Sequence, residues 1–527
     1  MQSIFICKLI FNIMEGLKDF TIFTKKLLGS ADTYNIILNG EHLGFGEKLM
    51  VENAGYAISE ELRRRYKNKK ILFVCGVGGK GAIGLSAARH LIGHASVRVI
   101  IVGDVSGIKN KAMLMNYRIV KDLIEVDSIT DSNPDDIRRH LRWSDVVVDA
   151  IIGIGLVGRL SGLLYRTIKT VNGAGRNVIA IDIPSGIDPD SGAPNIAAIR
   201  ARQVFVIHKQ KTALRKYNAD SSIIVDIGLP ASIELFSGPG DVRAAVEKQR
   251  MDTNKYERGS VLIIGGSEDY RGAPLLSAFG ANNTIAALRG GAGYVTVFAP
   301  DGIVETISSK SPEIIAKGFN EAHFGEKDME KLRDIRHNAL VIGPGLSEAN
   351  ITFKVVSEIV KYEKEKRNSI VIDATAIKVM AAYKNFIDSN MVITPHYGEF
   401  RALAGVDVRK YDLGKRINAA IDFAKDNGCI LVLKGNETII TNGDLVKINR
   451  AKSPALATMG TGDVLSGIIA AFASSHKNLF ESAVAGVYVH SYLGDKLFDE
   501  KGMHVVATDI IDALPSFLKD FDVITGV

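Results

Sequence analysis

The chain has 527 residues, of which 46% are hydrophobic and 24% charged, with a formal net charge of +6 at pH 7. This length is too great for one hydrophobic core and predicts roughly two to four domains, and the composition excludes a largely disordered protein. The charge is thinly spread, without a basic stripe interleaved with aromatics, and no run reaches the ~18 apolar residues of a membrane span. We therefore expect neither nucleic acid nor membrane as a partner.

The three cysteines, Cys7, Cys75 and Cys429, lie far apart and lack the spacing of a metal site. This usage favours a reducing compartment, and we expect a cytoplasmic protein. The chain begins with the apolar stretch MQSIFICKLIFNIM, which Lys8 interrupts and no small-residue cleavage site follows. We therefore expect no signal peptide and treat residues 1–30 as an extension that is uninformative about function.

Short β-branched runs alternate with helical patterns along the whole chain, which predicts parallel sheets connected by helices. In a first domain, residues 31–236, the predicted strands are 70–75, 97–102, 145–149, 177–182, 203–207 and 222–226. The run SGPGD then interrupts the pattern, and we predict a linker over residues 237–250. In a second domain, residues 251–527, the predicted strands are 261–265, 294–298, 339–343, 369–373, 391–394 and 430–433. The fold class is α/β, and we expect the first domain to be a Rossmann-like three-layer sandwich.

A glycine-rich segment, GVGGKG at residues 76–81, follows the first predicted strand and has GxGxxG spacing. Asp104, after the next strand, is at a suitable distance for a ribose contact, yet this pattern alone is a weak dinucleotide signal. The segments LMVENAG, DAIIGIGLVGRLSG, AIDIPSGIDPDSG and VDIGLP follow in order between Ala31 and Pro230. With them, the first domain resembles the NAD(P)H-hydrate epimerase family.

This resemblance implies that Asp182 is a catalytic residue that contacts the substrate at the carbon bearing the hydroxyl. It implies a K⁺ ion held by Asp149, Ser185 and an asparagine. A strand-ending aspartate before Ile-Pro-Ser-Gly is as often a turn residue, so that alternative for Asp182 stays open. The loop that follows Asp149 would hold the dinucleotide phosphates of the substrate through Gly153, Gly155, Leu156, Gly158 and Arg159.

The glycine loop departs from the family pattern, which usually reads GNNGGDG, because here the matching residues 78–84 are GGKGAIG. Both asparagines and the aspartate are absent, so the oxygen expected on K⁺ is missing at Gly79. One hypothesis is that the ammonium of Lys80 takes the place of the cation and pairs with Asp149, since lysine is a compact point charge on a flexible stem. The alternatives are that Lys80 points into solvent, or that the domain keeps the fold without the chemistry and serves binding or assembly.

In the second domain, the run GTGD at residues 460–463 precedes an apolar stretch, Val464 to Phe472, that predicts a helix. The start of a helix leaves N–H groups unpaired and carries partial positive charge, so it binds phosphate well. Asp463 would repel that phosphate unless it removes a proton, which is the role of a general base for a hydroxyl that attacks phosphorus. The alternative is that Asp463 is an N-terminal cap.

Three further motifs follow predicted strands: GPGL at residues 343–346, Asp373-Ala374, and TPHYGE at residues 394–399. The carboxyl ends of parallel strands meet at one edge of a sheet, so we expect these motifs to form a site. Turn chemistry is the alternative for Pro344 and Pro395, and a structural role is the alternative for His396.

The segments RGSVLIIGGSEDYRGAPLLSA, LRGGAGYVTVFAP, VIGPGL, VIDAT, TPHYGEF, VLKGNETIIT, MGTGDVLSG and ATDIIDALP occur in order between Lys255 and Leu514. With them, the second domain resembles the ADP/ATP-dependent NAD(P)H-hydrate dehydratases of the ribokinase-like superfamily. The resemblance implies a ribokinase-like α/β fold and phosphoryl transfer from a nucleotide to the 6-hydroxyl of a hydrated nicotinamide ring, after which phosphate leaves and NADH or NADPH is regenerated. It implies ADP, with ATP as the alternative, and Mg²⁺ on the phosphates with Glu399 in the outer shell.

By the same resemblance, Asp463 is the base and contacts the hydrate together with Ala273, Gly345 and His396. The nucleotide would contact two glycine-containing segments, namely Lys434, Gly435, Asn436, Glu437 and Thr438, and Gly460, Thr461 and Gly462. Thr375 stands where the family usually has aspartate. The alternative is a small-molecule kinase of the same superfamily with a non-catalytic first domain. The expected partners are NADHX, NADPHX and ADP or ATP, and the apolar runs IIAAFASS and AVAGVYVHSYL predict either core or a homo-oligomer interface.

Overall fold

The fold is described from a computed structural model, for residues 24–525 apart from 134, 157, 161, 218–220, 268–269, 275–285, 311, 321–324 and 452. Most of the predicted extension, residues 1–23, lies outside the described residues. The chain divides into two compact units, the N-terminal unit Lys25–Ile233 and the C-terminal unit Glu234–Val527. Within the described ranges, no helix combines the length and the apolar character needed to cross a bilayer.

The N-terminal unit is built on a seven-stranded parallel sheet in the order β3-β2-β1-β4-β5-β6-β7. Its strands are β1 (Lys70–Gly76), β2 (Ser96–Val102), β3 (Glu125–Ile129), β4 (Val146–Ala150), β5 (Asn177–Ile181), β6 (Gln203–Ile207) and β7 (Ser221–Val225). Its helices are α1 (Ser30–His42), α2 (Glu47–Arg65), α3 (Gly79–His90), α4 (Lys111–Val120), α5 (Ile137–Trp143) and α6 (Gly162–Gly173). The strand order reverses between β1 and β4, which is where ligands bind in sheets of this kind.

Alternating side chains of β1 point to opposite faces of this sheet, as the two-residue period of a strand requires. Ile71 and Phe73 pack with helices α2, α3 and α4, whereas Leu72 and Val74 pack with α5 and α6. Helices therefore cover both faces, and the predicted Rossmann-like three-layer sandwich is confirmed. Strand β3 was not predicted, because its sequence EVDSI is short and polar and the strand lies at the sheet edge.

The C-terminal unit is built on a nine-stranded sheet in the order β11-β10-β9-β12-β13-β14-β15-β16-β17, which is parallel as far as β15 and antiparallel for the last two strands. Its strands are β9 (Ser260–Ile264), β10 (Tyr294–Pro300), β11 (Ile315–Phe319), β12 (Ala339–Ile342), β13 (Ser369–Ile372), β14 (Met391–Ile393), β15 (Ile430–Leu433), β16 (Glu437–Thr441) and β17 (Val446–Arg450). Two short strands, β8 (Gln249–Arg250) and β18 (Ile524–Thr525), pair separately.

Helices cover both faces of this second sheet, so the predicted α/β class holds here too. One core contains side chains of α10 (Glu326–Arg333), α11 (Asn350–Lys366), α12 (Thr375–Ala382), α13 (Tyr397–Ala404) and α14 (Leu413–Asn427). The opposite core contains side chains of α8 (Ala286–Arg289), α9 (Asp301–Lys310), α15 (Thr461–Ser475) and α16 (Leu479–Lys501). The apolar runs IIAAFASS and AVAGVYVHSYL lie in α15 and α16 and are mostly buried within this unit, which accounts for their composition.

The segment predicted as a linker, residues 237–250, contains helix α7 (Pro239–Ala245). Val242 and Ala245 of this helix are fully buried in a core of the C-terminal unit that also includes α17 (Ala507–Leu518). The proline and the two glycines that suggested a linker instead begin a helix, because proline is well suited to the first helical turn. The hairpin β16–β17 was also not predicted as strands, although it begins at the predicted nucleotide residues Glu437 and Thr438.

Candidate active sites

The first candidate site lies where strands β12 to β15 of the C-terminal unit end. Gly343 and Gly345 have positive φ angles of 125° and 68°, which turn the chain directly after β12. A Cβ atom added to Gly345 would lie 2.7 Å from Cβ of Ala273. The structure therefore brings together two of the residues predicted to contact the hydrate, and a side chain at position 345 would fill the space between them.

A partly buried ion pair links the ends of β13 and β15. Nζ of Lys434 lies 3.0 Å from Oδ1 of Asp373, and the Thr394 hydroxyl donates to the same oxygen at 2.7 Å. Burial lowers the pKa of Lys434, but the carboxylates of Asp373 and Glu399 outweigh it and hold that pKa above its ordinary value. Lys434 thus carries a fixed positive charge at the edge of the sheet.

The predicted phosphate loop is the start of helix α15. Gly460 is the N-cap residue with a φ of 87°, and no side chain caps the helix, so the cap interpretation of Asp463 is wrong. Gly462 faces Lys434, because a Cβ atom added to Gly462 would lie 3.7 Å from Nζ of Lys434. The unpaired N–H groups of the first turn and the lysine ammonium therefore lie together, which is the environment that a phosphate prefers.

Asp463 has an unusual protonation behaviour for an aspartate. Burial and, to a lesser extent, the carboxylate of Asp373 raise its pKa, the ammonium of Lys434 opposes both, and the resulting pKa is about 7. A carboxyl group with a pKa near the working pH suits a general base, because it is deprotonated often enough to act and still holds a proton well. The residue type and its surroundings therefore agree with the predicted role.

His396 is the N-cap of helix α13 and has a structural role as well as an accessible face. Its Nδ1 accepts hydrogen bonds from the N–H groups of Gly398 and Glu399, and the Glu399 carboxylate accepts one from the N–H of His396. A neutral imidazole that accepts at Nδ1 carries its proton on Nε2. The side chain is 61% exposed, so Nε2–H is a donor that a ligand can reach.

The predicted nucleotide segment 434–438 is held by side chains that the sequence did not single out. A Cβ atom added to Gly435 would lie 2.1 Å from the hydroxyl of Tyr397, so only glycine fits there. Arg416 lies over the ring of Tyr397 and 3.6 Å from the Glu437 carboxylate. The side chain of Glu437 thus faces an arginine.

Other members of the two predicted nucleotide segments are held by their own neighbours. Thr438 donates to the carbonyl of Gly435, and the carbonyl of Asn436 accepts from Ala451. The hydroxyl of Thr461 donates to carbonyls of the preceding turn. Thr375, which replaces the usual aspartate, donates to the carbonyl of Leu346 at 2.8 Å and so ties the loops after β12 and β13 together.

The second candidate site lies at the strand ends of β1, β4 and β5 in the N-terminal unit. Nζ of Lys80 lies 3.0 Å from Oδ2 of Asp149 and 3.1 Å from Oγ of Ser185. The Lys80 side chain is only 7% exposed, so the solvent-pointing alternative is wrong. The two residues predicted as K⁺ ligands thus face a lysine. Burial lowers the pKa of Lys80, and the carboxylate of Asp149 opposes this shift.

Asp182 has the strained conformation that often marks functional positions, with a φ of 61°. Its Oδ1 accepts from the N–H of Ile207 and lies 3.2 Å from Nζ of Lys211. Lys211 is a buried partner that no sequence pattern singles out, because it lies 29 positions away in the chain. Asp182 is therefore part of a buried ion pair and not only a turn residue.

The loop over residues 153–159 adjoins this second site. A Cβ atom added to Gly153 would lie 3.5 Å from Cδ of Lys80, and the N–H of Leu156 donates to the carbonyl of Gly153. Gly155 and Arg159 are exposed, and Gly158 has a φ of 72°.

Asn195, which the sequence did not single out, fixes the far end of this loop. Its side-chain amide donates to the carbonyl of Gly158, and its side-chain oxygen accepts from the N–H of Leu160. Asn195 thus holds the end of the loop at Gly158, while Gly153 lies beside the side chain of Lys80.

Two family models match the chain and together span most of it. The model described as NAD(P)H-hydrate dehydratase matches residues 261–516, and the model described as YjeF-related protein N-terminus matches residues 47–213. Each match falls within one of the two compact units. The order of the two matches is the order of the two resemblances found in the sequence.

Curated relatives resemble the chain over nearly its whole length. Proteins named bifunctional NAD(P)H-hydrate repair enzyme Nnr from Pyrobaculum aerophilum and Archaeoglobus fulgidus are each 34% identical, and each alignment covers 93% of this chain and 98% of the relative. Among solved structures, a ribokinase-like superfamily protein from Enterococcus faecalis is 28% identical over 54% of this chain and 94% of its own, with a TM-score of 0.47.

Proposed function

This chain belongs to the family of bifunctional NAD(P)H-hydrate repair enzymes, and we propose that its two units carry out two successive steps of that repair. The C-terminal unit dehydrates the S epimer of NADHX or NADPHX with consumption of a nucleotide, for which we propose ADP. The N-terminal unit interconverts the R and S epimers, so that both become substrates of the dehydratase.

The observation that carries the dehydratase proposal is the environment of Asp463. This carboxyl group lies in the first turn of a helix, beside an ammonium, with a pKa of about 7. Asp463 takes the proton from the 6-hydroxyl of the hydrated ring while the hydroxyl oxygen attacks the terminal phosphorus of the nucleotide. The bond from that phosphorus to the bridging oxygen breaks, so ADP becomes AMP and the hydroxyl becomes a phosphate ester.

Phosphate then leaves the ring and a ring proton is lost, which restores the double bond of NADH or NADPH. A hydroxyl is a poor leaving group, and its phosphorylation removes the need for strong acid. The ammonium of Lys434 and the N–H groups around Gly462 stabilise the charge that develops on the transferred group. Ala273, Gly345 and Nε2–H of His396 would orient the hydrate.

Mg²⁺ fits the carboxylates of this site. Asp373 and Glu399 both lie close enough to Lys434 to raise its pKa, and Mg²⁺ is commonly held by one or two carboxylates together with substrate phosphates. Asp373 would bind the ion, and Glu399 would lie in its outer shell. When bound, it would neutralise part of the negative charge of the nucleotide.

For the epimerase, the strained and ion-paired Asp182 supports a role at the carbon that carries the hydroxyl. Its partner Lys211 keeps the carboxylate oriented. The loop over residues 153–159, with Gly155 and Arg159 exposed, would hold the dinucleotide phosphates. NADHX and NADPHX are both proposed as substrates.

The test of the dehydratase is to follow NADH absorbance after the S epimer of NADHX is mixed with the intact chain and either ADP or ATP. We expect NADH to form with equimolar release of phosphate. Accumulation of a phosphorylated hydrate without NADH would instead establish the small-molecule kinase.

The test of the epimerase gives the R epimer alone to the Asp463→Asn chain, and chromatography should detect the S epimer. The matched control is the double variant Asp182→Asn/Asp463→Asn, in which the S epimer should not form.

A further inference from the structure

The ammonium of Lys80 lies inside a cage of four oxygen atoms. In addition to Asp149 and Ser185, the carbonyl oxygens of Ile183 and Ile152 lie 2.8 and 3.3 Å from its Nζ. A neutral amine would direct its lone pair at one of these oxygens, whereas the protonated group directs only hydrogens at them. A carboxylate, a hydroxyl and two carbonyls make up an all-oxygen ligand set of the kind that holds hard cations.

Hydrogen bonds within the cage hold its oxygen atoms in addition to those from the lysine. Oδ1 and Oδ2 of Asp149 accept from the N–H groups of Ile151 and Ser185, respectively. Oγ of Ser185 accepts from the N–H of Ile152, and Oγ lies 2.9 Å from the carbonyl oxygen of the same residue. These bonds connect backbone that follows β4 and β5, so we expect the oxygens to stay in place when the lysine side chain is removed.

The local backbone brings the lysine into the cage. Lys80 is the second residue of α3, and the close contact of this helix with β1 depends on glycine. A Cβ atom added to Gly81 would lie 1.8 Å from the carbonyl oxygen of Gly76. The lysine stem then passes Gly153, where an added Cβ atom would lie 3.5 Å from Cδ of Lys80.

We propose that the ammonium of Lys80 is the resident cation of this site and that the N-terminal unit has no exchangeable monovalent cation there. The predicted K⁺ does not fit, because Nζ already occupies the position between its ligands Asp149 and Ser185. An ammonium and K⁺ are similar in charge and size, but the ammonium is tethered covalently, so its occupancy is independent of the salt. The expectation that the epimerase needs no K⁺ rests on the proposed function. The position of the Lys80 ammonium in the cage does not depend on that function.

The test is thermal unfolding of the full chain in KCl, RbCl, NaCl or LiCl at equal ionic strength. We expect the unmodified chain to unfold at the same temperature in all four salts. Lys80→Ala should unfold at a lower temperature and regain about 2–4 °C in KCl and RbCl only, since an ion that binds the folded state stabilises it. The matched control is Lys211→Ala, which also removes a buried lysine but leaves no comparable cage, and should regain nothing.

A K⁺-specific stabilisation of the unmodified chain would overturn the proposal, as would a folded Lys80→Ala chain that responds equally to all four salts. If Lys80→Ala does not fold, acetylation of the unmodified chain by a water-soluble ester, followed by mass spectrometry, decides the matter. We expect Lys80 to react at least about 10²-fold more slowly than the exposed Lys69, and equal rates would contradict the buried position. None of these measurements requires epimerase activity. A chain without that activity would therefore contradict the proposed function and leave the proposal about Lys80 intact.

Discussion

Nζ of Lys434 lies 3.0 Å from Oδ1 of Asp373, and this pair sets the electrostatic environment of Asp463. The two charges act on Asp463 in opposite directions, because the carboxylate raises its pKa and the ammonium lowers it. Burial has the largest effect and raises the pKa as the carboxylate does, and the result is a pKa of about 7. The proposed base, Asp463, is thereby kept partly protonated near neutral pH.

The first prediction concerns Asp463→Asn, which keeps the size of the side chain and removes the base. We expect kcat of the dehydratase to fall by about 10² or more, the usual scale for a positioned base, and nucleotide binding to change little. NADH formation and calorimetric titration with ADP measure the two effects. A variant with the kcat of the unmodified chain would contradict the assignment of Asp463.

The second prediction is the pH dependence of kcat/KM, which reports the free enzyme. Because Asp463 acts in its deprotonated form, kcat/KM should fall as the pH drops below about 7. Asp373→Asn removes a negative neighbour and should move this acid limb to lower pH. Lys434→Met removes a positive neighbour and should move the limb to higher pH. Shifts in the same direction in both variants would exclude Asp463 as the group that titrates.

The third prediction concerns His490, whose pKa burial lowers to about 4. The pKa of His490 in the unfolded chain is near 6.5. Between pH 6.5 and about 4 the unfolded chain therefore binds a proton that the folded chain does not, and the free energy of unfolding falls as the pH is lowered through this range. The total loss is roughly 3 kcal/mol. Asp463 acts oppositely, since its raised pKa favours the folded state as the pH falls from about 7.

The two titrations can be separated by denaturant unfolding between pH 4 and 7. We expect Asp463→Asn alone to lose stability steeply on acidification, and Asp463→Asn/His490→Gln to lose less. Equal slopes in the two variants would show that His490 is not the group responsible.

The fourth prediction compares two glycines with positive φ in the C-terminal unit. Gly345→Ala places a Cβ atom 2.7 Å from Cβ of Ala273, whereas the added atom in Gly405→Ala meets nothing within 4 Å. The two φ angles are 68° and 76°, so both variants should lose about 1 kcal/mol of stability through backbone strain. Gly345→Ala should lose more, because its Cβ atom would also lie 2.8 Å from the carbonyl oxygen of Tyr270. Only Gly345→Ala should raise KM for the hydrate. An equal increase in Gly405→Ala would mean that strain, and not crowding at the site, is the cause.

The sequence predicts most of the strands, because the β-branched runs bounded by glycine or aspartate form strands in both sheets. It also places the site motifs at the correct sheet edge, because parallel strands end together. It leaves open whether Lys80 pairs with Asp149 or points into solvent, since the acceptors on β4 and after β5 are brought to Lys80 only by the tertiary fold. Nor does it single out Arg416 or Lys211, whose partners are set by tertiary packing and leave no local pattern.

The last prediction concerns the buried pair of Asp182 and Lys211, whose side chains are 14% and 2% exposed. Lys211→Met leaves a buried carboxylate without its counterion and should destabilise the N-terminal unit by about 3–5 kcal/mol. Adding Asp182→Asn removes the stranded charge, so the double variant should be more stable than Lys211→Met alone. Urea unfolding of the full chain measures the difference, and dehydratase activity of the C-terminal unit serves as the internal control. A double variant less stable than Lys211→Met would show that Lys211 stabilises the fold through its packing and not through the charge of Asp182.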